Sequence, residues 1–126
     1  MKTQDRIRAQ DYFDAKLAFS TGPVELHTLI EKRARINIID VRASEDYDKG
    51  HIPGAVNLPH EKWVTLEGMT QDRMNVIYCY SQQCHLAAHA ALFFAKEGFP
   101  VQELEGGFEA YHAHGFALEM YAHIVG

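Results

Sequence analysis

Apolar and polar positions fall into blocks along the chain that predict short buried strands alternating with helices. Ile7, Tyr12, Phe13, Leu17 and Phe19 are loosely helical in spacing and predict a helix over 7–19. Ser20-Thr21-Gly22-Pro23 then ends one element and starts another. Proline near a helix start, after small hydroxyl residues, suits a helix over 23–32. Ile36-Asn37-Ile38-Ile39 reads as a buried strand ending at the polar group Asp40-Val41-Arg42, and Ser44 is placed to cap a short helical turn through Tyr47. A second strand is expected over 55–58. A third, over 76–78, is rich in β-forming residues and leads straight into Cys79. Residues 85–97 have the length and apolar content of a helix, with Leu86, Ala90, Phe93 and Phe94 inward and Gly98 as its stop. A fourth strand over 101–104 is followed by the turn Glu105-Gly106-Gly107, whose glycines allow unusual backbone angles, and by a last helix over 108–114. This alternation predicts an α/β fold with a mostly parallel sheet covered on both faces.

Composition narrows the functional classes. The 126 residues, 47% of them apolar, suffice for one compact domain with its own core and no disulfide or metal staple. There is no internal repeat or low-complexity run. The formal net charge of −5 is spread along the chain, so neither nucleic acid nor an anionic membrane surface is an expected partner. No run approaches the roughly 18 consecutive apolar residues of a membrane span. The first fourteen residues are too polar for a secretory signal peptide. Two cysteines, Cys79 and Cys84, are too few for a secreted disulfide framework, and predict free thiols or a redox pair in a cytoplasmic protein.

The segment richest in chemistry is the strand 76–78, the loop Cys79-Tyr80-Ser81-Gln82-Gln83-Cys84, and the helix beginning near His85. In open parallel sheets, ligands bind outside the carboxyl ends of the strands. A cysteine there faces a helix N-terminus, where unpaired backbone N–H groups and positive potential favour an anion such as a thiolate or persulfide. Helix N-termini lower a cysteine pKa from about 8.5, which supplies thiolate nucleophile without a separate general base. The competing reading makes Cys79 a small hydrophobe that ends a buried strand; the local context alone leaves the two even.

Several ordered blocks shift that balance. They are Ile39-Asp40-Val41-Arg42, Glu45 to Tyr47, Gly50-His51-Ile52-Pro53-Gly54-Ala55-Val56-Asn57-Leu58-Pro59, Tyr78-Cys79 with its loop, and Leu104-Glu105-Gly106-Gly107-Phe108. On these blocks the chain resembles the rhodanese family from about Thr21 to Glu119. The resemblance implies a rhodanese-like domain over 21–126 behind an N-terminal helical extension over 1–20, with a five-stranded sheet between helices. It implies a sulfurtransferase in which the Cys79 thiolate takes a sulfane sulfur from a small-molecule donor as a persulfide. A thiol or cyanide acceptor then removes it, and a partner protein is a further candidate acceptor. N–H groups of Ser81 to His85 would cradle the outer sulfur, Tyr80 and Gln83 would shape the pocket, and no cofactor is expected.

The loop departs from the family's usual pattern. Cys84 stands where many members have arginine, Gln82 where glycine is usual, and His85 where serine is usual; the loop holds no Lys or Arg. Thiosulfate is a dianion and should bind such a loop poorly, so a persulfide or polysulfide donor fits better. A cysteine phosphatase would need arginine at position 85. Cys84 can be expected either to react with a Cys79 persulfide or merely to pack where loop becomes helix; a disulfide needs Cα atoms within about 7 Å. Asp40 and Arg42 are read chiefly as a structural ion pair, with Glu45 and Asp46 as other partners for Arg42, and less as aids to substrate approach. His51 is expected to fix the 50–55 turn and Trp63 to anchor a loop. His85 and His89 have a zinc-compatible i, i+4 spacing but no acidic neighbour, so no metal is assigned. Two other classes remain: a non-catalytic binding or regulatory module, and a Cys79–Cys84 redox switch. Sequence leaves open whether the N-terminal helix docks on this domain or on a second copy.

Overall fold

A computed structural model describes residues 3–120; the end of the domain placed at 21–126 therefore lies outside the described residues. The elements run α1 (Thr3–Phe19), β1 (Ser20–Thr21), α2 (Pro23–Glu31), β2 (Ile36–Asp40), α3 (Ser44–Lys49) and β3 (Val56–Asn57). A 3₁₀ helix (His60–Thr65), β4 (Met74–Tyr78), α4 (Leu86–Lys96), β5 (Val101–Leu104) and α5 (Gly107–Ala113) follow. The five strands form one sheet in the order β1-β5-β4-β2-β3, and every pairing is parallel.

Because both faces of a parallel sheet are covered, its central strands β2 and β4 carry apolar residues on both sides, and successive residues point to opposite layers. Val76 and Tyr78 join one core with Ile38, Leu26, Ile52, Leu104 and Tyr111. Ile77 and Cys79 point the other way, into a core with Ile39, Leu58, Trp63, Ala87, Ala90 and Phe94. Burying a side chain such as Phe94 or Ile77 contributes about 1.5–3 kcal/mol. The period of two therefore aims Cys79 at the layer containing α4, and Tyr78 at the layer containing α2 and α5.

Several expectations need correction. Ser20 and Thr21, read as a break, form β1 and pair with Glu103 and Leu104, so a boundary between 20 and 21 cuts through a strand. A two-residue edge strand has no periodicity to read. The strand expected over 55–58 shortens to Val56–Asn57. Ser44 is not a cap: Ala43 holds that position, and the Ser44 hydroxyl instead donates to Asn57 Oδ1 at 2.9 Å. Asn57 is fixed there because its Nδ2 donates to the carbonyls of Asp40 and Arg42, both at 3.0 Å.

No residue of α1 is buried. Its C-terminal end meets the sheet edge through Lys16 with Glu105 (3.6 Å) and through Gln102 Nε2 donating to the Ala18 carbonyl (3.1 Å). Ile7, Tyr12, Phe13, Leu17 and Phe19 stay more than half exposed, so their apolar surface does not dock on the domain. No helix of the described residues is long and apolar enough to cross a membrane.

Candidate active site

β4 lies between β2 and β5, and the chain leaves its carboxyl end at Cys79, which is 1% exposed. Three backbone N–H groups at the start of α5 hold the following loop. Phe108 N–H donates to the Cys79 carbonyl (2.9 Å), Glu109 N–H to the Tyr80 carbonyl (2.8 Å), and Gly106 N–H to Gln82 Oε1 (2.6 Å). This seat requires glycine at 107. Its φ is +63°, and a Cβ there would lie 2.9 Å from both the Cys79 carbonyl oxygen and the Ser81 nitrogen. The Gly106-Gly107 pair is thus more than a turn before a helix. It lets the start of α5 close on the back of the cysteine loop.

Within the loop, Cys84 N–H donates to the Ser81 carbonyl at 3.1 Å and folds the segment back on itself. The Cα atoms of Cys79 and Cys84 are 6.6 Å apart, and their Sγ atoms are joined as a disulfide. Cys84 is half-buried against the core that holds Cys79, while Gln82, Gln83 and His85 are exposed. His85 occupies the cap position of α4 without a capping side-chain bond, so the first-turn N–H groups of α4 face the loop end. Tyr80 points away from the sulfurs. Its hydroxyl donates to Asp46 Oδ2 (2.6 Å) and accepts from Ala43 N–H (3.2 Å), and burial followed by the Asp46 bond raises its pKa.

Asp40 and Arg42 sit at the end of the adjacent strand. Arg42 Nε and Nη2 grip the Asp40 carboxylate at 2.8–3.1 Å, and Nη2 also donates to the Gly50 carbonyl at 2.6 Å. Tyr78 completes the network: its hydroxyl donates to Asp40 Oδ2 (2.6 Å) and accepts from Ile52 N–H (3.1 Å). Arg42 chooses Asp40 over Glu45 and Asp46 because Asp40 is wholly buried beside it and is reached bidentately. Burial opposes the guanidinium charge, but the bond and attraction to Asp40 more than offset it, and the Arg42 pKa rises. Burial, reinforced by Asp40, pushes the Tyr78 phenol far up, so it remains a donor. Arg42 also lies 3.9 Å over the Phe108 ring. Its edge lines a cleft of about 460 Å³ with Lys49, Tyr80, Phe108, Glu109 and His112. The cluster therefore directs its charge inward and toward that cleft, on the Tyr78 and Tyr80 side of the strand.

The supporting residues fall where their neighbours need them. His51 stacks on Tyr47 and hydrogen-bonds the Tyr47 carbonyl (2.7 Å), tying the turn to α3. Trp63 is buried and donates Nε1–H to the Leu58 carbonyl (3.1 Å), which anchors its loop. His112 lies against Phe108 and His114 against Phe116. Among the described residues, no three His, Cys, Asp or Glu side chains converge on a metal position. Sequence reasoning missed Tyr78 as the third member of the Asp40–Arg42 network; its place beside Cys79 on a buried strand was the available signal.

A cysteine at the end of the middle strand, in a six-residue loop that leads into α4 and is seated on the start of α5, defines the class of domain. Residues 22–114 match the model of the rhodanese-like domain, and the chain belongs to that family. It is 35% identical over 79 residues to the thiosulfate sulfurtransferase GlpE of Shewanella oneidensis, covering 61% of this chain and 76% of that protein. It is 33% identical over 85 residues to the HTH-type transcriptional regulator Rv0324 of Mycobacterium tuberculosis, covering 67% of this chain. The chain spans only 38% of that regulator's length. The crystal structure of the BH2092 protein from Bacillus halodurans superposes with a TM-score of 0.83 at 31% identity, covering 92% of this chain and 87% of the other.

Proposed function

We propose that the chain is a sulfurtransferase that carries sulfane sulfur as a persulfide on Cys79 and passes it to a thiol or cyanide. The observation that carries this reading is the placement of Cys79 at the strand end, with its loop folded toward the first turn of α4. Backbone N–H groups there suit a thiolate or persulfide anion. The similarity to a named thiosulfate sulfurtransferase supports the reaction class. The disulfide must first be opened by a thiol reductant, which frees Cys79 as the nucleophile. Its thiolate then attacks the outer sulfur of the donor, and an acceptor thiol removes that sulfur in a second step.

The donor we favour is a persulfide or polysulfide. The loop has no cationic side chain, and Arg42, just past the end of the adjacent strand, is committed to Asp40 and the Gly50 carbonyl. Thiosulfate therefore lacks a charged partner. The acceptors proposed are a small thiol or a protein thiol, in the cytoplasm. The test compares sulfur transfer to cyanide from glutathione persulfide and from thiosulfate, using reduced protein. The persulfide should support the faster turnover, by about tenfold or more, the equivalent of one charge-assisted hydrogen bond. Equal or faster use of thiosulfate would overturn the preference.

Two observations favour second readings. The joined sulfurs of Cys79 and Cys84 suit a thiol-redox switch, for which oxidant alone would close the disulfide and no donor would leave sulfur on Cys79. The match to part of a transcriptional regulator suits a binding or regulatory module, for which neither donor would support any turnover.

A further inference from the structure

Cys84 has no role in a simple two-step sulfur transfer, yet the fold brings it onto the reacting atom. The Ser81–Cys84 turn bends the loop, the Cα atoms are 6.6 Å apart, and the atom of Cys79 that Cys84 contacts is Sγ itself. In a Cys79 persulfide, Sγ is the inner sulfur. An attacking thiolate that reaches the inner sulfur expels the outer one, whereas a relay thiol must reach the outer sulfur. Position therefore decides between the two fates. We propose that Cys84 is a resolving thiol that turns the loaded domain into a sulfide-releasing persulfide reductase, an inference that rests on Cys79 accepting sulfur.

The Cys79 thiolate displaces a thiol from the donor persulfide and becomes Cys79–Sγ–SH. The Cys84 thiolate attacks Cys79 Sγ, the Sγ–S bond breaks, and the outer sulfur leaves with the bonding pair as hydrosulfide. The sulfane sulfur is reduced to sulfide, and the two cysteines are oxidised to the disulfide. A dithiol reductant restores both thiols and begins another cycle. The seat formed by Gly106, Gly107 and Phe108 holds the Cys79 end of the loop, so little rearrangement separates the loaded and resolved forms. Holding the two thiols together makes this step intramolecular, which favours it over capture of the sulfur by a dilute external acceptor.

The experiment uses the full chain, reduced with dithiothreitol, desalted and exposed to one equivalent of glutathione persulfide with no added acceptor. Wild type should release sulfide stoichiometrically and end two hydrogens lighter than the reduced protein. Cys84→Ser should retain the mass of one sulfur and release sulfide about 100-fold more slowly. Cys84→Ala, run beside it with a thermal melt of each variant, guards against a folding defect in either replacement. Retention of the sulfur by wild type for as long as by Cys84→Ser would overturn the resolving role, as would sulfur recovered on Cys84. Failure of folded Cys84 variants to take up sulfur at all would instead overturn the carrier reading on which the role depends.

Discussion

Two groups sit at the carboxyl ends of neighbouring strands, and they handle reactivity in opposite ways. The Asp40–Arg42–Tyr78 network is charged, buried and satisfied: the carboxylate receives Arg42 and Tyr78, and Arg42 also donates to Gly50. The loop over 79–84 is uncharged, and its side chains range from the buried Cys79 to the exposed Gln82 and Gln83. The backbone of α5 holds it more than side-chain charge does. Charge in this domain therefore builds the frame. The cysteine loop, which has no charged side chain, is instead held in its folded shape by backbone N–H groups.

The frame breaks most severely at Asp40. Asp40→Asn leaves Arg42 buried without its counter-charge and should cost about 3–5 kcal/mol, read from urea unfolding. The double variant Asp40→Asn/Arg42→Met should recover part of that loss, because it removes the uncompensated charge as well. Next in size is the seat of the loop. Gly107→Ala combines an unfavourable φ with a Cβ pressed on Cys79 and Ser81, and should cost about 2–3 kcal/mol. It should also lower sulfur transfer, because the clash falls on the Cys79 carbonyl and the Ser81 amide themselves.

A third change carries the frame's chemistry into the loop. Cys84→Arg, compared with Cys84→Ser, should raise thiosulfate use about tenfold, the worth of one charge-assisted hydrogen bond, and leave persulfide use less affected. The smallest effect is expected at Glu103 on β5. Burial, partly opposed by His85, raises its pKa above the usual glutamate range. The folded state then holds this proton more tightly than the unfolded chain. Stability from this group falls as pH rises through the window between the ordinary and raised values, and the cost persists above it. Glu103→Gln should thus show a small gain in melting temperature at neutral pH that vanishes as pH falls below the glutamate range.

How much of this was legible depended on the length of the signal. Val76 to Cys79 announces a buried strand because a continuous apolar run bounded by turns has few other uses in so short a chain, whereas β5, with Gln102 and Glu103 between Val101 and Leu104, is marked by its apolar ends and flanking turns. Ser20–Thr21 was invisible as a strand, since two polar residues gain their place from pairing with Glu103 and Leu104 rather than from their own pattern. The Cys79 loop and its unusual residues could be read directly. What position along the chain does not encode is direction. The Asp40–Arg42 pair was legible, but only the fold shows that Arg42 chooses Asp40 over Glu45 and Asp46 and also turns to Gly50, that Tyr80 turns to Asp46, and that Cys84 turns to Cys79.

The proposed transfer stands on sulfane sulfur residing on Cys79. The direct measurement is peptide-level mass mapping of reduced Cys84→Ser and Cys79→Ser proteins after brief exposure to glutathione persulfide and alkylation. One added sulfur is expected on the Cys79 peptide of the first variant and none on the Cys84 peptide of the second. Sulfur on Cys84 in the absence of Cys79, or an unmodified Cys79 in folded protein, would contradict the proposed transfer.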